Sequence, residues 1–295
     1  MIERTVMKAI QLRVFVIIVG MFLLLYGLYA GYFYRVQRHA IFPRYLLPAT
    51  MQTITDFPGW QQHWVEIGDS NDTDATTVAH VESWFLPPLL AQEAAPVILM
   101  MHGNGDLMEM WPARVEELAR QGWGVLLVEY PGYGRSTGEP TEATIAATLI
   151  DAYDWVITQP HVDPTRIILF GYSVGGGAIG TLAAQRSSAA LVLMSTFTSV
   201  RAMAARYYLP GFLVSDPFDT LAVVERYPNP VLLIHGSQDT TIPAVNSVTL
   251  HNAAPNSKLL LLPCGHADCV DDWDDFWSLV LDFLAEHRVL RHRTS

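Results

Sequence analysis

Six short apolar runs constrain the fold of this chain more than any other feature. They occupy residues 97–101, 124–128, 166–170, 190–194, 231–234 and 258–262, and most are separated by segments of helical spacing. Runs apolar on both faces suit strands covered on both sides, and strands joined through helices pair in parallel. Residues 141–158, 174–186 and 273–286 supply helices, and 111–121 another, with Pro112 in its first turn and Gly122 as its stop. The expected fold class is therefore α/β, a mostly parallel sheet with helices on both faces, spanning residues 51–290. Two earlier segments, 63–67 and 81–86, read as additional strands. The long interval 196–227 falls between two strands and reads as a small cap or an elaborated crossover.

Ahead of this domain, residues 14–34 form an uncharged, mostly apolar run between Arg13 and Arg35. As a helix it would span about 30 Å, enough for the hydrocarbon core of a bilayer. Tyr26, Tyr29, Tyr32 and Tyr34 gather at its C-terminal end, as amphipathic rings do at a membrane interface. A cleaved signal peptide is the competing reading. It calls for a shorter apolar region and a small-x-small cleavage site, which Leu28-Tyr29-Ala30 fits poorly. The expected organisation is a flank at 1–13, a single-pass membrane anchor at 14–34, a membrane-proximal linker at 35–50, the catalytic domain, and a tail at 291–295. Arg4, Lys8 and Arg13 on one side balance Arg35, Arg38 and Arg44 on the other, so the flanks do not set the orientation.

With 295 residues, 51% of them hydrophobic and 16% charged, the chain can bury a full core. Its 29 acidic residues against 18 basic ones give a net charge of −11, which argues against nucleic acid as a partner. Cys264 and Cys269 are the two cysteines. They could close a small disulfide loop or stay reduced, according to compartment. Zinc is disfavoured, because only three plausible ligands cluster there and His266 has a better use. Asn71-Asp72-Thr73 is formally a glycosylation sequon.

Gly171-Tyr172-Ser173-Val174-Gly175 matches G-x-S-x-G where a strand turns into a helix, the context that lifts a serine hydroxyl above a sheet. A serine is a weak nucleophile without a base, and the base needs an acid to fix its tautomer. In chain order the acid and then the histidine should follow, each beyond the C-terminal end of a strand. Asp239, after 231–234, and His266, after 258–262, meet that demand. A turn-former and an ordinary loop histidine are the bland readings of the same two residues. The tetrahedral oxyanion needs preorganised donors. The Val174 N–H would be one and the Asn104 N–H, in His102-Gly103-Asn104-Gly105, the other. His102 and His235, each before a glycine at a strand end, read as structural. Leu107, Met108, Met110 and Trp111 read as core packing ahead of an acyl-chain pocket. Asp268 lies too near His266 in sequence to be its first-choice partner and could cap locally.

With the order Ser173, Asp239, His266 in hand, most of the chain after the anchor resembles the α/β-hydrolase superfamily. Within it, the chain is similar to membrane-anchored α/β-hydrolase-domain proteins, which include eukaryotic protein depalmitoylases and bacterial relatives. The matching pieces include Gln37-Arg38-His39-Ala40-Ile41-Phe42-Pro43, Trp84-Phe85-Leu86-Pro87 and His102-Gly103-Asn104-Gly105. They continue with Glu129-Tyr130-Pro131-Gly132-Tyr133-Gly134-Arg135-Ser136, Asp216-Pro217-Phe218-Asp219, His235-Gly236-Ser237-Gln238-Asp239 and Gly265-His266. The resemblance implies hydrolysis of esters, thioesters or related acyl groups with no metal and no organic cofactor. The partners it implies are the bilayer and a small-molecule or acylated substrate, lipid-derived ones included. Two departures stand out: Glu129 where relatives often carry Asp, and no cysteine-rich N-terminal segment, its place being taken by the apolar run. A peptidase or amidase, and a catalytically idle membrane scaffold, stay open as alternatives on the same fold.

Overall fold

A computed structural model of the chain describes residues 2–48, 52–68, 78–88 and 93–289. The sequon at Asn71 and the tail at 291–295 lie outside the described residues. Eight strands form one sheet: β1 (Gln61–Gly68), β2 (Val78–Leu86), β3 (Ala95–Met101), β4 (Gly124–Val128), β5 (Val162–Tyr172), β6 (Ala190–Met194), β7 (Val231–Gly236) and β8 (Ser257–Leu262). Their spatial order is β1-β2-β4-β3-β5-β6-β7-β8. β1 and β2 pair antiparallel with each other, and β2 pairs antiparallel with β4. Every pairing from β4 through β8 is parallel. The α/β architecture expected from the six apolar runs is thus present.

The sheet separates two cores because alternate residues of each strand point to opposite faces. Val97, Leu99 and Met101 of β3 join the cluster beneath α3 (Glu142–Val156) and α4 (Val174–Ala183). Ile98 and Met100 join the other, against α8 (Trp273–Glu286). Val97, Ile98 and Leu99 are fully buried, and each such side chain contributes about 1.5–3 kcal/mol of transfer free energy. One expectation needs correcting: β8 is only half-buried, since it is the edge of the sheet and has a neighbour on one side alone. Residues 111–121 also do not form one helix. A 3-10 turn at Pro112–Val115 precedes the short α2 (Glu116–Arg120).

Helix α1 (Ile2–Ile41) is about 60 Å long and is long and apolar enough to cross a membrane. It runs on through residues 35–41, the first part of the stretch expected as a linker. A charge such as Arg35 does not end a helix, and the first residue that does is Pro43. Phe42, just beyond α1, is buried against Tyr130, Tyr133 and Phe218 and seats the helix on the domain. The interval 196–227 divides in two. Its first part, α5 (Val200–Ala205) and a 3-10 turn at Gly211–Leu213, lies along α1. Its second, α6 (Thr220–Val224), packs on α4 as part of the crossover to β7.

Candidate active site

Ser173 stands between β5 and α4 with φ 56° and ψ −120°. A non-glycine residue rarely adopts such a backbone, at a cost of about 1–3 kcal/mol, so the surroundings must impose it. They do so from both sides. The Ser173 N–H donates to the Met194 carbonyl (2.8 Å), and its own carbonyl accepts from Thr196 Oγ1 (2.8 Å). The two motif glycines let the backbone close up. A Cβ on Gly171 would lie 2.4 Å from the Gly175 carbonyl oxygen, and one on Gly175 2.3 Å from that of Met101. The first turn of α4 therefore rests directly on the end of β3.

The sharp turn aims the hydroxyl at a histidine from the far edge of the sheet. Ser173 Oγ is 2.9 Å from His266 Nε2, and His266 Nδ1 is 2.6 Å from Asp239 Oδ2. The carboxylate accepts the Nδ1 proton, which leaves Nε2 as the acceptor for the serine hydroxyl. Asp239 is buried to its side-chain tips, whereas one-fifth of the His266 side chain is exposed. Asp239 Oδ1 also accepts the N–H groups of Thr241 and Ile242, at 2.8 Å each. The acid is therefore fixed while the base faces the approach to the serine. Asp268 accepts the Gly265 N–H (2.6 Å), the local cap that its position suggests. Cys264 and Cys269 are joined in a disulfide across the loop that carries His266.

The two expected oxyanion donors lie on segments next to Ser173, one following it in the chain and one in the loop after β3. Val174 opens α4, so its N–H has no acceptor within the helix. The Asn104 N–H has no acceptor among the described residues, and a Cβ on its neighbour Gly103 would lie 3.6 Å from Ser173 Cβ. The Asn104 side chain is tied elsewhere, Nδ2 donating to the carbonyl of Ile41 at the end of α1 (2.9 Å).

A family model described as the α/β-hydrolase fold matches residues 96–226. The uncharacterized protein YfhR of Escherichia coli K12 is 32% identical over 229 residues, covering 73% of this chain and 80% of YfhR. The chain belongs to the α/β-hydrolase superfamily. The hydrolase is also similar to the protein Bem46 of Schizosaccharomyces pombe, 25% identical over 274 residues, 88% of this chain and 89% of Bem46. Among solved structures, the Pyrococcus furiosus esterase Pf2001 superimposes with a TM-score of 0.61 at 19% identity, over 81% of this chain and 97% of that one. At that identity the likeness concerns the fold.

Three further residues of the hydrolase, His102 and His235 buried and Tyr172 half-buried, have closer ties to the site than their sequence context suggests. His102 Nε2 meets Glu129 Oε1 (2.7 Å) and Nδ1 meets the Gly103 carbonyl (2.8 Å). Both partners are acceptors, so both ring nitrogens must donate and His102 is an imidazolium. Burial, the largest influence, works against that charge. The Glu129 carboxylate, its hydrogen bond and the Gly103 carbonyl outweigh it and hold the pKa above the ordinary histidine range. Glu129 further accepts the N–H groups of Met108 (2.9 Å) and Tyr130 (2.8 Å). This pair clamps the loop that carries Asn104. His235, expected to be purely structural, donates from Nε2 to the Ile242 carbonyl (2.7 Å), with Asp239 Oδ2 at 3.2 Å. Its Nδ1 accepts from Ser247 Oγ (2.6 Å), and burial lowers its pKa, keeping it neutral. Tyr172, the variable residue before Ser173, donates to the His266 carbonyl (2.9 Å), and burial pushes its phenol up to about 12. Leu107, Met108 and Trp111 are buried in the core, the first of their two readings.

Proposed function

We propose that this hydrolase is a membrane-anchored serine hydrolase that cleaves carboxylic esters or thioesters through an acyl-enzyme. Ser173 Oγ attacks the acyl carbonyl as His266 Nε2 takes its proton, and Asp239 holds the imidazolium that forms. The N–H groups of Asn104 and Val174 receive the developing oxyanion. His266 then passes its proton to the departing alcohol or thiol. Water attacks the acyl-serine by the same route, His266 taking its proton and returning it to Ser173, and the carboxylic acid leaves.

The observation that carries this reading is the continuous chain from Ser173 Oγ through His266 to Asp239, at 2.9 and 2.6 Å. The esterase name of the Pyrococcus furiosus fold neighbour agrees with an ester substrate. The helix α1 favours retention in a bilayer, and a site held there suits acylated or lipid-derived substrates. The test is labelling of the full-length chain in detergent with a fluorophosphonate, followed by turnover of matched ester, thioester and amide substrates. Labelling that vanishes in Ser173→Ala, with esters or thioesters turned over at higher kcat/KM than amides, is expected. A folded wild type that resists the probe defeats the nucleophile assignment, and preferred amide turnover makes the enzyme a peptidase or amidase.

A further inference from the structure

The surface that α5 and the following turn present beside α1 is not used by the chemistry above. The hydroxyls of Tyr26 and Tyr29 donate to the carbonyls of Tyr208 (2.8 Å) and Tyr207 (2.7 Å). Both tyrosines belong to the uncharged run that ends at Tyr34, eight and five residues inside it. At the helical rise these positions lie about 12 and 8 Å from that end. Helical side chains lean toward the N-terminus, here deeper into the run. The tip at residues 207–212 is therefore bonded to α1 within its apolar stretch and not beyond it.

The chemistry of the tip suits that depth. Tyr208 and Phe212 are 84% and 85% exposed, and Tyr207, stacked on Phe33 of α1, is still 56% exposed, so large rings face outward along the tip. Between tip and helix runs an apolar groove of 160 Å³, its walls including Ala30, Phe33, Met203, Leu209, Pro210 and Leu213. An apolar cavity of roughly 150 Å³ accommodates a benzene, so a short length of hydrocarbon chain fits. Arg35, Arg201 and Arg206 are exposed around this surface, in a chain whose net charge is −11. Such a collar attracts anionic headgroups, each cation contributing about 1 kcal/mol near an anionic surface.

We infer that residues 207–212 form a second membrane contact, inserted into the leaflet that holds the C-terminal end of α1, with a lipid acyl chain in the groove between them. The inference rests on the reading of α1 as a membrane anchor. If α1 spans the bilayer, a tip bonded to Tyr26 and Tyr29 sits below the headgroups, where a lipid is the available occupant. The depth matches the roughly 5–10 Å that interfacial amphipathic elements reach. Because Asn104 Nδ2 is bonded to the Ile41 carbonyl, two membrane contacts would hold the oxyanion loop at a fixed height over the leaflet.

Three full-length variants test this: Leu24→Cys, Phe212→Cys and Gln185→Cys, the last exposed beyond the far end of α4. The native cysteines are bonded to each other, so an environment-sensitive fluorophore goes to the new thiol. Each protein is placed in phosphatidylcholine–phosphatidylglycerol nanodiscs carrying acyl-brominated lipid. Strong quenching at positions 24 and 212 and none at 185 is expected. Quenching at 24 without quenching at 212 overturns the second contact and leaves the anchor intact. No quenching at 24 overturns the anchor itself. Phe212 is exposed, so its replacement removes no core packing, and matching circular dichroism spectra establish that all three variants are folded.

Discussion

Replacing Glu129 with glutamine isolates what holds the loop that carries Asn104, the proposed oxyanion donor. One carboxylate serves three buried donors there: His102 Nε2 and the N–H groups of Met108 and Tyr130. Breaking a buried ion pair by removing one partner costs about 3–5 kcal/mol. Glutamine keeps one carbonyl oxygen but turns an NH2 toward at least one of those donors, so about 3 kcal/mol is expected. For a domain of this size that lowers Tm by about 6–12 °C. The pH dependence is the sharper readout. The His102 pKa is raised in the folded chain above its ordinary 6.5. Its stabilising contribution is therefore complete below that value and is lost as pH rises through the raised one. The gap in Tm between wild type and Glu129→Gln should be widest near about pH 6 and narrow at alkaline pH. Scanning calorimetry in detergent from pH 6 to alkaline pH, with kcat/KM followed in parallel, makes the measurement. A slackened loop should lower kcat/KM by about ten- to a hundredfold, less than the loss of a whole oxyanion donor. A Tm change under about 3 °C with an unaltered pH profile would show that the imidazolium–carboxylate pair does not hold this loop.

Asp239→Asn keeps the shape of the acid but presents the wrong partner to His266 Nδ1, and kcat should fall by about four orders of magnitude while fluorophosphonate labelling slows in proportion. Equal rates in stopped-flow labelling would remove Asp239 from its role. Gly175→Ala drives a Cβ to within 2.3 Å of the Met101 carbonyl, so a loss of about 1–3 kcal/mol in urea unfolding is expected, together with reduced turnover. Unchanged stability would mean that α4 can back away from β3. Replacing both Cys264 and Cys269 with serine opens the small loop around His266, at about 2 kcal/mol by loop-closure entropy. Thiol titration and Tm of the reduced wild type should reproduce that loss.

The parts of the site carried by single strand ends were legible in the sequence, and the parts that depend on strand order were not. Ser173, Asp239 and His266 each follow an apolar run that announces its own end, so the chain order alone nominates them. Glu129 is different. It lies 27 residues from His102, and the two become neighbours only because β4 inserts between β2 and β3. The register pairs Met101 with Val128, which sets residues 102 and 129 side by side just past the strands. No periodicity within either strand records that adjacency. A weaker signal was present in the two His-Gly pairs, 102–103 and 235–236: a histidine closing a buried run needs partners for both ring nitrogens. Contacts between α1 and the tip at 207–212, about 180 positions apart, lie further still from any local pattern.

Strand order also explains why these pieces converge. The loops after β3, β4, β5, β7 and β8 all leave the C-terminal ends of the parallel strands, and α1 is seated on that side through Phe42 and the Ile41 carbonyl. A parallel arrangement forces every such loop to one side, whereas an antiparallel one would scatter alternate loops to the opposite edge. Helix α1 and the candidate site therefore share one end of the molecule. A change that tilts α1 should reach Asn104 before it reaches His266, whose loop follows the edge strand β8 and is braced by Tyr172, Asp239 and the Cys264–Cys269 bridge.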